Sequence, residues 1–184
     1  MSIIYLVGGI LAVIFLFIIG VYNGLIRTKN RAKEAWADID VQLTRRYSLI
    51  PNLVEAVKGY AAHEKDVFFK VTEARTRAMG AKTLKEKGEA ENILSGALKT
   101  LFAVSENYPQ LRASENFLEL QKELRDTEDK IQAARRFYNA NVRDLNTKME
   151  VFPNSIVANM FKFKKMDLFE AKEGEEREPV EVKF

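Results

Sequence analysis

The feature that most constrains this chain is its beginning. No charged side chain occurs before Arg27, and Ser2 to Ile26 reads SIIYLVGGILAVIFLFIIGVYNGLI. That is about 24 almost wholly apolar residues, where roughly 20 suffice for a helix to cross the hydrocarbon core of a bilayer. A cleaved leader calls for a basic start, a shorter apolar stretch and an A-x-A-like site, and this segment has none of them. It therefore reads as a retained single-pass anchor, residues 1–26. Arg27, Lys29, Arg31 and Lys33 follow at once. Basic residues stay on the cytoplasmic side, so the expected topology is N-terminus outside and the remaining chain in the cytoplasm. The same four cations are placed to attract anionic lipid.

Near the end of this span, Gly20 and Gly24 form a G-x-x-x-G spacing with Asn23 beside it. Such a spacing lets two helix backbones approach while a polar amide finds a partner, which points to a homo-oligomer. The plainer alternative is that glycine is simply common in membrane helices.

The rest of the chain is helical in pattern. Only four prolines and nine glycines occur, and there is no cysteine, which excludes disulfides, thiol chemistry and Cys-ligated zinc. Ile39, Leu43, Ile50, Leu53, Val54, Val57, Ala61, Phe68 and Val71 recur at spacings of three and four and mark one apolar stripe. Pro51 interrupts it, removing a backbone donor and crowding the carbonyl of Tyr47, so a kink or a break is expected there. On an ideal helix Pro51 and Asn52 face away from the stripe, which reads as a hinge and packing feature.

The stretch KTLKEKGEA, with Gly80 before it and Gly88 inside it, reads as a polar connector. Ala90 to Tyr108 carries a second stripe that ends at Pro109. A third and longest stripe runs from Phe117 to Met149. Short connections force such helices to pack antiparallel, so the fold class is all-α: a single transmembrane helix followed by an up-and-down helical bundle with long helices, the bundle occupying residues 27–150.

Residues 151–184 form a third region. Ser155 to Phe169 has the pattern of a short amphipathic helix, and two placements compete for it, in the membrane interface or packed on the bundle. The last stretch, Asp167 to Phe184, carries seven acids against three bases in a chain whose net charge is +3, so it either docks on a basic surface or remains solvated.

Polar residues inside the stripes are the candidates for chemistry. Arg46, Glu64 and Arg75 fall in the apolar sector of the first stripe, and Glu128 and Arg135 in that of the third. Two inward carboxylates beside the single histidine, His63, admit a hydrolase reading based on Glu64 and Glu128. Against it, a di-metal bundle needs Glu-x-x-His pairs that this sequence lacks, and His63 and Glu64 are adjacent rather than a turn apart. An inward salt-bridge network that fixes helix register is the simpler account. Neither a phosphate loop nor a dinucleotide fingerprint is present, and the Arg-Arg pairs at 45–46 and 135–136 belong to no nucleic-acid recognition motif. No catalytic residue, cofactor or metal is expected.

Three blocks carry a resemblance: YNGLIRTKNRAKEAWADIDVQLTRRYSLIPNLVEAVKGYAAHE, then ELRDTEDKIQAARRFYNANVRDLN, then FPNSIVANMFKFKKMDLFEA with a closing PVEVKF. Together they resemble the LemA family of bacterial membrane proteins over nearly the whole chain, the first block specifically and the tail more loosely. Ser48 stands where family members commonly carry Asp. The resemblance implies an N-terminal membrane helix in the bacterial inner membrane, a helical bundle and no established enzymatic activity. It also points toward scaffolding with membrane-protein partners; membrane remodelling by the long helices is the alternative.

Overall fold

The computed structural model describes residues 1–169; the acidic tail lies outside the described residues from Glu170 onward. Those described are all-α, with six helices and no strand among them: α1 (Ser2–Lys58), α2 (Lys65–Gly80), α3 (Leu84–Ser105), α4 (Pro109–Arg112), α5 (Glu115–Glu150) and α6 (Asn154–Met160). The apolar N-terminal segment is the start of α1, which continues without interruption into the charged sequence. It is long and apolar enough to cross a membrane.

The helix neither ends nor restarts at Pro51, which lies inside it. The break falls instead at residues 59–64, where Gly59, with its low helix propensity, follows the last turn; Ala61 is buried and His63 exposed in the link to α2. Continuity through Pro51 has a specific physical support. A proline at position 51 cannot donate to the Tyr47 carbonyl four residues earlier. That carbonyl instead accepts a hydrogen bond from Nε of Arg75 at 2.7 Å.

A second departure concerns the expected connector at residues 82–90, most of which is helical. Thr83 caps α3 through a capping box: its hydroxyl accepts from the Glu86 amide at 3.2 Å, and the Glu86 carboxylate accepts from the Thr83 amide at 3.1 Å. These amide bonds hold the Glu86 carboxyl below its usual pKa. Gly88 is buried inside the helix rather than ending it. Pro109 likewise opens the short α4, at a first-turn position where its missing donor costs nothing.

The chain forms two compact units, with α1 and α5 contributing to both. Unit 1 comprises Met1–Ile39 and Ala134–Leu168. There α1 and α5 run antiparallel: the ring of Trp36 meets Tyr138 at 5.6 Å, Lys148 donates to Thr28 at 3.2 Å, and Leu25 packs with Leu145, Met149 and Ala158. After α6 the chain closes in the six-to-one hydrogen-bond pattern that ends many helices. The Phe163 amide reaches Ala158 at 2.9 Å, the Lys162 amide reaches Asn159 at 3.1 Å, and Lys162 takes the left-handed conformation.

This turn delivers Phe163 onto the Leu25 cluster, and residues 161–168 then return non-helically along the unit. Asn146 holds that strap at both backbone polar groups of one residue, donating to the Met166 carbonyl at 2.9 Å and accepting from its amide at 3.1 Å. Tyr138 adds a bond to the Asp167 carbonyl at 2.9 Å. Helix is thus confined to residues 154–160 of the region expected to be amphipathic, and the segment packs on α1 and α5 within its own unit.

Unit 2, Asp40–Ala133 with Phe169, contains the end of α1, all of α2, α3 and α4, and the first half of α5. Leu43, Ile50 and Val57 on α1, Val71 and Ala78 on α2, Leu94 and Leu101 on α3, and Leu111 on α4 are almost completely buried. They are largely the residues the three-and-four periodicity selects.

Candidate polar core

Unit 2 buries an ion pair. Arg46 and Glu91 are each 2% exposed, and they form an ion pair. The other guanidinium nitrogen of Arg46 pairs with Glu128 at 2.5 Å, and it also donates to Ser95 at 3.3 Å. Tyr47, the next residue on α1, donates its hydroxyl to the second oxygen of Glu91. One arginine on α1 therefore links α3 and α5, and one glutamate on α3 takes two successive α1 residues. Burial pushes the Tyr47 phenol up to about 12; the Arg46 charge opposes that shift and the Asp40 charge adds to it.

The sequence-derived candidates separate into several places. Arg46 and Glu128 meet directly. Arg75 turns to the Tyr47 carbonyl rather than to a carboxylate. Glu64 is half-buried at the start of α2, where its carboxylate accepts from the Tyr108 hydroxyl at 3.4 Å. Arg135 is buried on α5 within unit 1. Pro51 and Asn52 are exposed on the outer face of α1. Gly20, Asn23 and Gly24 are exposed as well, and a methyl group built on either glycine meets nothing within 4 Å among the described residues. Arg27, Lys29, Arg31 and Lys33 all lie on the same continuous helix beyond them.

Glu91, the acid at the centre of the network, is absent from those candidates. Its spacing held the signal: it lies one turn before Leu94 and two turns before Leu98, inside the buried sector of α3.

Chemically, the arrangement directs charge at charge. A cleft of about 190 Å³ opens beside Arg46, Ser95, Leu98, Phe102 and Glu128, smaller than the roughly 300–1,000 Å³ usual for small-molecule sites. Among the described residues, no three His, Asp or Glu side chains converge as metal ligands would.

A helix fit to cross a membrane, continued into helical sequence with a buried ion-pair cluster, defines a membrane-associated all-α protein. The chain belongs to the LemA family, whose model matches residues 35–184. It is 29% identical over 168 residues to Protein LemA of Metamycoplasma hominis, covering 88% of this chain and 75% of that protein. It is also 24% identical over 177 residues to the magnetosome protein MamQ of Magnetospirillum gryphiswaldense, covering 82% of this chain and 65% of MamQ. The same figures hold for MamQ 2 of Paramagnetospirillum magneticum.

Proposed function

We propose that the chain is a single-pass membrane protein, N-terminus outside and helical body in the cytoplasm, that acts as a non-enzymatic scaffold by self-assembly or by holding a membrane-protein partner. The observation that carries this reading is the polar core. Arg46 and Glu91, the most deeply buried charges of unit 2, pair with each other and with Glu128 and Tyr47, so they serve helix register rather than a substrate. The topology follows from the cations at 27, 29, 31 and 33. The G-x-x-x-G spacing of Gly20 and Gly24 on an exposed part of α1 favours a second helix as their neighbour.

Native mass spectrometry of the full-length protein, extracted gently from its own membranes, tests the proposal. A discrete multiple of 21.1 kDa makes self-assembly the function to explain, and a mass that includes another polypeptide makes the protein an adaptor. A lone 21.1 kDa species under conditions that preserve other membrane complexes overturns it.

A further inference from the structure

The corner where α5 gives way to α6 is unlike the rest of the body's surface. Phe152 is 79% exposed, Met160 58%, Ile156 55% and Phe161 48%, with Val151 beside them. An apolar group of this size on one corner calls for a covering surface, and three observations identify it.

The first is position. Phe161 packs its ring on Tyr22 at 4.7 Å, and Tyr22 precedes the first charge of α1, Arg27. Tyr5 and Tyr22 bracket the apolar segment at about 1.5 Å per residue, a separation close to a hydrocarbon core, and tyrosines commonly mark the two interfaces of a spanning helix. Phe161 is therefore fixed beside the residue that marks where the membrane ends.

The second is register. In unit 1, Trp36 meets Tyr138 and Thr28 meets Lys148, one residue on α1 answering one on α5, and Leu25 clusters with Leu145 and Met149. Continued for a few residues, that register brings Phe152 close to the level of Tyr22. The last helical charge of α5, Glu150, falls just short of this level and pairs with Lys165. The charged surface stops and the apolar corner begins at one depth.

The third is the rim. Lys29 stands over the Phe163 ring at 5.9 Å, and the exposed Lys162 and Lys164 flank the same turn. Cations with their heads in water and their stems over apolar rings are suited to an anionic headgroup layer.

We infer that the α5–α6 corner, Val151 to Phe161, is a second membrane contact, seated in the interface of the same leaflet in which the spanning part of α1 ends. The bilayer is its occupant. Two anchorage points, the span and the corner, then fix the tilt and rotation of unit 1 on the membrane, where a lone helix would leave it free to pivot. This inference rests on the anchor reading proposed above.

Because the chain has no cysteine, single-cysteine variants report on each place without further changes. Phe152→Cys and Met160→Cys examine the corner, Leu16→Cys the span, and Phe69→Cys an exposed apolar position on α2 in unit 2. Each full-length variant is labelled with an environment-sensitive fluorophore and reconstituted into vesicles of phosphatidylcholine and phosphatidylglycerol. Iodide serves as the aqueous quencher and a phospholipid with a shallow acyl-chain nitroxide as the lipid quencher.

Labels at 152 and 160 should be quenched by the lipid nitroxide and shielded from iodide several-fold relative to position 69. Iodide quenching equal to that at position 69 overturns the inference. So does shielding from iodide without lipid quenching, which would mean that protein covers the corner. Lipid quenching at position 16 with none at 152 and 160 refutes the corner alone, whereas its absence at 16 refutes the anchor itself.

Discussion

Replacing Arg46 by Met isolates the ionic core. The substitution keeps an apolar stem of similar reach, so the change is chiefly the loss of the guanidinium. Glu91 is then left 2% exposed with its cation gone, while Glu128, 37% exposed, recovers water. Stranding one member of a buried pair costs about 3–5 kcal/mol. The hydroxyl of Tyr47 still reaches Glu91, which places the expected loss near the lower end, about 3 kcal/mol. Glu91→Leu should cost less, about 1–3 kcal/mol, because Arg46 loses one of its two carboxylates but keeps Glu128, and the Tyr47 hydroxyl loses its acceptor. The double variant removes both charges and should be more stable than Arg46→Met alone. Urea unfolding of the full-length protein in detergent, followed by far-UV circular dichroism, measures all three. For a chain of this length, Arg46→Met should lower Tm by about 6–12 °C. A cost below about 1 kcal/mol for Arg46→Met, or a double variant less stable than the sum of the singles, refutes the claim that these charges hold each other in place.

Two further outcomes follow from the same helices. Pro51→Ala restores a donor for the Tyr47 carbonyl, so Arg75→Met, expected to cost about 1.5–3 kcal/mol in the parent, should cost clearly less in the Pro51→Ala background; equal costs in a double-mutant cycle would sink the coupling. Tyr47, raised from 10.0 to about 12, favours its neutral form in the fold, so its contribution is complete below pH 10 and is lost as pH rises toward 12, roughly 2–3 kcal/mol in all; the alkaline decline in stability should shrink in Tyr47→Phe, and an unchanged decline would contradict the assignment.

How much of this was legible in the sequence depends on whether the controlling interaction is local. The apolar stripes of α1, α3 and α5 repeat every three or four residues, and their burial follows from helix geometry alone, so the all-α class could be read directly. The α3 start was also local: Thr83 and Glu86 stand at capping-box spacing, and reading Gly88 as a breaker concealed it. Glu91 was half legible, since its sector is set by α3 while its partners lie on α1.

The continuity of α1 through Pro51 was not legible in that way. Proline creates a free carbonyl at Tyr47, and whether the helix survives depends on a donor 28 residues downstream that the pattern of α1 does not contain. Arg75 was selected as inward-facing, but its spacing could not distinguish a carboxylate from a backbone oxygen as its target. Glu128 differs because it stands next to a ready cation: once α1 and α5 are antiparallel, Arg46 is the cation within reach of it. A periodic pattern thus identifies which face is buried, and an inward polar residue identifies that a partner must exist. The partner itself comes from the packing of helices far apart in sequence, and here it is this pairing that converts an apparent helix breaker and two buried charges into parts of one core.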